Sequence, residues 1–256
     1  MQGSIPRARR TLIGRIVALA RAPGSPPPRP LLASLAARYL HGVAEEDLAL
    51  RPPAAWLAML RGHFDRGRRR RRGSELVRVF NPDPRREGFD TPHTLVQVVT
   101  DDMPFLVDSV TMAFAAAGAG LHLVVHPVLG VHRDASGRLL AFTDLPVRTR
   151  GARSESWQLY EIDRIADPAR RAALGRSLKS ALRDVRVATA DWRAIAAHAL
   201  DAATQLESGA RRAPEALEAA ALLRWMVEDH FTFLGYREYR VRRRGRSETL
   251  VPLPHT

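Results

Sequence analysis

Residues 93–133, HTLVQVVTDDMPFLVDSVTMAFAAAGAGLHLVVHPVLGVHR, decide how this chain folds. They read as strand, sharp turn, helix, strand. Residues 93–100 carry Leu95, Val96, Val98 and Val99, a β-branched, apolar run suited to a strand with at least one buried face. Asp101-Asp102-Met103-Pro104 stops it. A carboxylate ahead of a proline is a helix-start signal: Asp102 is expected to cap the first N–H groups, with Pro104 in the first turn. Asp108 adds negative charge near the same positive helix end. Leu106, Val107, Val110, Phe114 and Ala117 fall on one helical face. Gly118 and Gly120 end the helix, since glycine tolerates left-handed backbone there. Residues 121–131 are again apolar enough for a buried strand.

Working outward, residues 76–80 read as a strand ended by Asn81-Pro82-Asp83-Pro84. Asp134-Ala135-Ser136-Gly137 is a tight turn, so 124–133 and 138–142 are expected to pair as a hairpin. Residues 156–162 form a strand in which Trp157, Leu159 and Glu161 alternate against Gln158, Tyr160 and Ile162. Composition does not say which set faces inward. Asp167-Pro168 repeats the helix-start signal, and Leu174, Leu178, Ala181, Leu182 and Val185 share a face. That periodicity runs on through Ala188, Trp192 and Ile195, as one long helix or two in series. A further helix is predicted over 214–229, with Leu217, Ala221 and Trp225 inward. Residues 230–236 read as a fresh strand, Arg244-Gly245-Arg246 as a turn, and 249–251 as its return. One hairpin is not a domain, so this end reads as the start of a module cut short.

Toward the N-terminus, residues 1–30 read as loosely ordered, with a Pro-rich extended piece at 23–28. Arg7, Arg9 and Arg10 ahead of residues 12–20 resemble a signal peptide, but Arg15 interrupts the apolar run and no clean cleavage site follows. The lack of acid before Glu45 is also a transit-peptide trait. The reading adopted is a surface amphipathic helix followed by a linker. Leu31, Leu32, Leu35 and Tyr39 have helical spacing, 44–50 reads as a short helical turn, and Trp56, Leu57 and Leu60 follow Pro52-Pro53. Together 31–65 make a helical cap. The arginine run at 66–72 reads as a solvated loop. The functional alternative is a phosphate-binding patch, but no aromatic residue is interleaved to stack bases. The expected division is a Pro-rich N-terminus (1–30), a cap with its Arg-rich loop (31–72), an α+β domain (73–190), a helical connector (191–229) and the first hairpin of a following module (230–256).

The chain has 256 residues, 45% of them apolar, enough for one or two domains with a real core. It contains no cysteine, which excludes disulfides, thiolate zinc sites and a cysteine nucleophile. Its formal charge is +13, yet Lys179 is the single lysine among 40 basic residues. Arginine for lysine with abundant alanine is read as coding bias rather than as a polyanion-binding signature. No apolar run is long enough to span a membrane. Neither GxxxxGK[ST] nor GxGxxG occurs, and Gly118-Ala119-Gly120 follows a helix, the wrong context for a dinucleotide turn. His122, His126 and His132 fall in one predicted strand, where residues four apart lie ~13 Å from each other, too far for one zinc with Zn–N near ~2 Å. Asp101 and Asp102 could serve acid–base work or Mg²⁺, but adjacent turn residues point apart. Ser109 and Thr111 lack a nucleophile elbow. What survives is ligand binding at the turn itself, where helix-start N–H groups attract a carboxylate.

The stretch VVTDDMPFLVDSVTMAFAAAGAGLHLVVHPVLGVHRDASGRL closely resembles the N-terminal region of the large bacterial NAD-specific glutamate dehydrogenases. VRVFNP at 77–82, ESWQLYEIDR at 155–164 and DHFTFLGYREY at 229–239 support the resemblance across residues 31–240. It implies an ACT-type regulatory module: α+β, ferredoxin-like, an antiparallel sheet with helices on one face. Such modules often bind an amino acid at the turn between first strand and first helix, frequently across a dimer. Mapped here, the effector positions are Asp101, Asp102, Met103 and Pro104, with Gly118 and Gly120 at the helix end. The usual ACT turn has glycine after its proline; Phe105 stands there instead. The family's dehydrogenase part lies beyond Thr256, so the chain is expected to hold no catalytic residue, metal or cofactor, NAD belonging to the full-length enzyme. The expected role is regulation or assembly, ahead of a catalytic part that converts L-glutamate and NAD⁺ to 2-oxoglutarate and ammonia. Expected partners are the rest of that enzyme, further copies of the chain through sheet edges, and an amino-acid effector, in the cytoplasm, with neither membrane nor nucleic acid. The alternatives are a stand-alone amino-acid-binding ACT module, an Arg-rich nucleic-acid binder, and a truncated reading frame.

Overall fold

The computed structural model describes residues 7–23, 29–145, 150–209, 213–245 and 247–253. Residues 24–28 of the expected Pro-rich segment lie outside them. The chain divides into two compact units, Met1–Val185 and Arg186–Thr256.

The first unit is built on one antiparallel sheet. Its strands are β1 (Leu76–Phe80), β2 (Thr94–Asp101), β3 (Leu121–Val125), β4 (Val128–Arg133), β5 (Leu139–Thr143) and β6 (Ala152–Ile162), in the order β1-β2-β6-β4-β5, with β3 also on β6. β6 is the spine. It is 11 residues long and takes β2 along one edge. Its other edge is shared: Leu159 to Ile162 meet β3, and Ala152 to Ser156 meet β4. The single strand expected over 121–131 is therefore two. His126-Pro127 breaks it, because proline has no N–H for a ladder, and the freed Pro127 carbonyl accepts from Trp157 N at 3.0 Å. β4 and β5 form the expected hairpin.

Helices cover both faces of this sheet. On one lie α6 (Leu106–Ala116) and α7 (Pro168–Ala190). Val110, Phe114, Leu174, Leu178 and Leu182 pack there against Val96, Val98, Tyr160 and Ile162. This is the α+β, ACT-like layer, and the 106/110/114 and 174/178/182 spacings are the helical periods that produce it. The start signal at Asp167-Pro168 works as expected: Asp167 Oδ1 accepts from Ala169 N at 2.8 Å.

The opposite face is capped by α1 (Arg7–Arg21), α2 (Arg29–Tyr39), α3 (Glu45–Ala49) and α4 (Pro53–Gly67). The loose N-terminus expected from sequence is thus helical over α1, whose Ile16 and Ala20 are wholly buried. Its amphipathic face adds to the cap core with Tyr39, Trp56, Leu60 and Phe64, against Leu95, Val99, Trp157 and Leu159. Each large apolar side chain buried there contributes about 1.5–3 kcal/mol. Both faces of β6 are inside, which is why composition could not choose between them. A short α5 (Pro84–Glu87) links β1 to β2.

The second unit contains α8 (Trp192–Ser208), α9 (Pro214–Trp225), a π turn over Met226–His230, and a hairpin of β7 (Tyr239–Arg244) and β8 (Ser247–Pro252). The strand expected at 230–236 is not one: a π turn occupies its start, and the chain becomes a strand only at Tyr239. Leu217, Ala221 and Trp225, expected inward, are exposed, while Ala220 is buried. Among the described residues no helix is long and apolar enough to cross a membrane.

Candidate functional site

The β2–α6 turn is where the sequence placed a ligand, and there the two aspartates part. They sit on successive residues of a strand end, so their side chains leave on opposite faces. Asp101 faces the cap. Its carboxylate accepts from Arg70 Nη2 at 2.5 Å and from Gly73 N at 3.0 Å. Asp102 faces the other way, toward His126. Partial burial raises its carboxyl above the ordinary range, and the neighbouring His126 works against that rise. Its backbone N–H donates to Ser154 O at 3.2 Å.

Asp102 does not cap α6. The chain makes one more turn through Pro104 and Phe105, and the helix begins only at Leu106. Phe105 holds the cap position with φ 64°, the left-handed region. Its carbonyl accepts the first helical bond, from Ser109 N at 3.0 Å. Pro104 is exposed and Met103 packs partly buried against the α6/α7 core.

Gly118 and Gly120 stand at the far end of α6, ~16 Å away for an 11-residue helix. Gly118, at φ 66°, closes the helix. Gly118 N donates to Ala115 O and Ala119 N to Phe114 O, the paired bonds of a Schellman end. Gly120 N is taken by Asp163 Oδ2 at 2.8 Å. The six expected effector positions are therefore not one site: Asp102, Met103 and Pro104 stay at the turn, Gly118 and Gly120 lie at the far end of α6, and Asp101 turns to the cap.

His126 begins a polar ladder that the sequence did not reveal. Its Nε2 lies 2.9 Å from Ser156 Oγ. Gln158 Nε2 donates to that same Oγ at 2.8 Å, and Tyr160 O–H donates to Gln158 Oε1 at 2.6 Å. Ser156 Oγ keeps its own O–H, which donates to His126 Nε2 when that nitrogen is unprotonated. Burial lowers the His126 pKa and so favours this neutral form, against the pull of Asp102. Burial raises the Tyr160 hydroxyl too, reinforced by Asp108. The ladder needs every second residue of β6 to be polar on a wholly buried face, a pattern that looks like surface until the covering helices are known.

The histidines expected to share one strand are dispersed. His122 Nε2 lies 2.8 Å from Asp163 Oδ1 and its ring stacks on His93 at 4.1 Å, whereas His126 sits at the strand break. Among the described residues no group of three or more candidate ligands is placed to hold a metal ion.

The arginine run at 66–72 is not simply a solvated loop. Arg70 N donates to Gly137 O at 2.9 Å, and Leu139 N to Arg68 O at 2.8 Å, so the run is stitched to the β4–β5 turn. Arg70 turns fully inward while Arg68, Arg69, Arg71 and Arg72 stay exposed. Its guanidinium meets Glu155, 85 residues away, at 2.7 Å, and Arg133 binds the same carboxylate with two bonds of 2.8 Å. Burial alone would raise Glu155; the Arg133 bonds and the charges of Arg70 and Arg133 hold it below the usual carboxylate range instead.

Residues 35–178 match the protein family described as "Glutamate dehydrogenase, ACT1 domain". The chain is similar to NAD-specific glutamate dehydrogenases of Pseudomonas aeruginosa (37% identical over 167 residues, 64% of this chain), Halomonas elongata (38% over 169, 65%) and Mycobacterium tuberculosis (31% over 198, 73%). It spans about a tenth of the length of each, 10%, 10% and 12% respectively.

Proposed function

From a chain that belongs to the glutamate dehydrogenase ACT1 domain family, we propose an N-terminal regulatory and assembly region of an NAD-dependent glutamate dehydrogenase. In the full-length enzyme L-glutamate and NAD⁺ become 2-oxoglutarate and ammonia, and this part contributes no reacting group. The observation that carries the reading is the family match over residues 35–178, beside relatives of which the matched stretch makes up about a tenth. The proposed partners are the remainder of that enzyme and further copies of the chain, in the cytoplasm.

NAD finds no fitting cradle in this chain's glycine pair. Gly118 closes a helix rather than opening one, and the Gly120 N–H is already bonded to Asp163. The turn chemistry favours a scaffold over an effector pocket: Asp101 is committed to Arg70, and Phe105 brings a large side chain where a glycine would leave room.

The test has two arms. The purified 256-residue chain is incubated with L-glutamate and NAD⁺, and NADH is followed by absorbance; none is expected, and turnover sinks the reading. Deleting the matching region from a full-length relative is expected to change its oligomeric state or its response to effectors while leaving glutamate turnover by correctly folded enzyme. Unchanged assembly and regulation in that deletion would equally overturn it.

A further inference from the structure

Arg69 and Arg138 are paired in an isolated antiparallel bridge between the end of the cap and the β4–β5 turn. Two backbone bonds bracket the pair, from Leu139 N to Arg68 O at 2.8 Å and from Arg70 N to Gly137 O at 2.9 Å. Bonds in that pattern define the narrow, non-hydrogen-bonded kind of pair, with Cα atoms ~4.5 Å apart and side chains on one face. Both residues are exposed. Two cations are thus rooted directly opposite each other, an arrangement that like-charge repulsion makes unfavourable.

The first unit holds a like-charge pair of the opposite sign, and there the protein supplies the counter-ion: Asp101 and Glu155 stand in register, and Arg70 bridges them. Nothing equivalent stands between Arg69 and Arg138. Among the described residues neither guanidinium has an ion pair or a hydrogen-bond partner. The acids beside them are engaged. Asp134 feels the Arg138 charge, but its Oδ1 already accepts from Ser136 N, Ser136 Oγ and the backbone N–H of Arg138. Asp65 lies 3.7 Å from Arg68. Arg66 and Arg68 close the C-terminal end of α4, where the helix dipole favours a cation; Arg69 and Arg138 lie beyond that end.

The pair opens on a concavity of about 490 Å³ lined by Asp65, Arg68, Arg69 and Arg138. Three cations face one acid there. The bridge fixes the backbone beneath them, so the guanidinium groups are gathered before any ligand arrives. A carboxylate offers two oxygens and one charge, which suits a single guanidinium fork. A terminal phosphate has three oxygens and up to two charges, so it can accept from two forks at once and offset both cations.

We propose that Arg69 and Arg138 clamp the terminal phosphate of a small phosphorylated anion, a phosphate monoester or a polyphosphate, with Arg68 at the rim. The bound phosphate does for this cation pair what Arg70 does for the acid pair. The site stands whether or not the chain regulates a dehydrogenase.

Calorimetric titration of the 256-residue chain with inorganic pyrophosphate, citrate and duplex DNA at physiological ionic strength tests it. Citrate is a carboxylate anion of comparable charge, so a surface that merely attracts anions takes it as well as pyrophosphate. Pyrophosphate is expected to bind at least tenfold tighter than citrate. Arg69→Gln and Arg138→Gln are each expected to weaken it tenfold or more, and Arg72→Gln, which removes the same charge at an exposed neighbour, by less than about threefold. Both bridge positions are exposed, so the variants keep their fold, and pyrophosphate is expected to raise the unfolding temperature of the parent but not of Arg69→Gln. No pyrophosphate binding, equal affinity for citrate, or equal losses in Arg72→Gln and Arg69→Gln overturns the proposal. So does DNA binding tighter than pyrophosphate and lost in the same variants, which would assign these arginines to nucleic acid.

Discussion

Asp101 and Glu155 face each other across the β2–β6 ladder, two carboxylates in direct register. Like charges so placed repel. Arg70 resolves the conflict: its Nη2 reaches Asp101 at 2.5 Å and Glu155 at 2.7 Å, with the Arg70 and Glu155 side chains wholly buried. The Trp157 indole N–H adds a bond to Glu155 at 3.2 Å. The pair of acids thus fixes which arginine of the run turns inward, and through it the cap's last turn is tied to the sheet.

Arg70→Met is therefore expected to destabilise the first unit by about 3–5 kcal/mol, since it leaves buried carboxylates short of a partner. Arg69→Met and Arg71→Met, at exposed neighbours, are expected to stay within about 0.5 kcal/mol of the parent. Denaturant unfolding of the three variants checks the contrast. Equal effects would mean that Arg70 contributes as one more surface charge.

Much of this fold was legible locally. Leu95 to Val99 announced a strand, Gly118 a helix end, Asp134 to Gly137 a hairpin turn, because in each the determining residues adjoin one another. The same aspartate–proline signal worked at Asp167-Pro168 and failed at Asp102-Pro104, where Phe105 takes a left-handed conformation and delays the helix. Arg70 could not be told from Arg69 or Arg71, since its distinction is a carboxylate 85 residues away. Likewise Ser156, Gln158 and Tyr160 alternate as a solvent face would, and only α6 and α7 bury them.

His63 gives the first unit a pH dependence. Burial, with a lesser push from Arg66, lowers its pKa to about 3, although the bond to the Val98 carbonyl works the other way. The neutral ring uses both nitrogens, accepting from Tyr39 O–H at Nδ1 (2.7 Å) and donating to Val98 O from Nε2 (3.3 Å). The unfolded chain takes up a proton near pH ~6.5 while the folded chain does not until far lower. Stability is therefore full above pH ~6.5 and declines as pH falls from there toward 3, by about 2 kcal/mol at pH ~5. His63→Gln is expected to flatten that part of the profile in denaturant titrations; a slope that persists in the variant assigns the effect to other groups.

Two glycines of α4 carry opposite expectations. Replacing glycine by alanine inside a helix normally gains up to about 1 kcal/mol. At Gly62 an added methyl meets only Arg78 Nη1 at 3.8 Å, an ordinary contact, so Gly62→Ala is expected to stabilise. At Gly67 the methyl would fall within the buried Trp157 ring. Gly67→Ala is expected to lose about 1–3 kcal/mol or more through overpacking. Thermal unfolding of both variants side by side checks the sign, and stabilisation of Gly67→Ala would show that Trp157 can move aside.

Phe105 is the one residue other than glycine with positive φ among those described, at 64°. Left-handed backbone costs an L-residue about 1–2 kcal/mol, and Phe105 recovers little of this by burial, being 43% exposed. Glycine adopts the same φ freely, though it gives up some entropy in the unfolded chain. Phe105→Gly is thus expected to be stabilising by up to about 1 kcal/mol, and Phe105→Val, whose branched side chain tolerates that region least, to be destabilising by a similar amount. A loss of stability in Phe105→Gly, measured by denaturant unfolding, would mean that the exposed ring makes contacts worth more than the strain, and that the β2–α6 turn is built around its phenyl group rather than in spite of it.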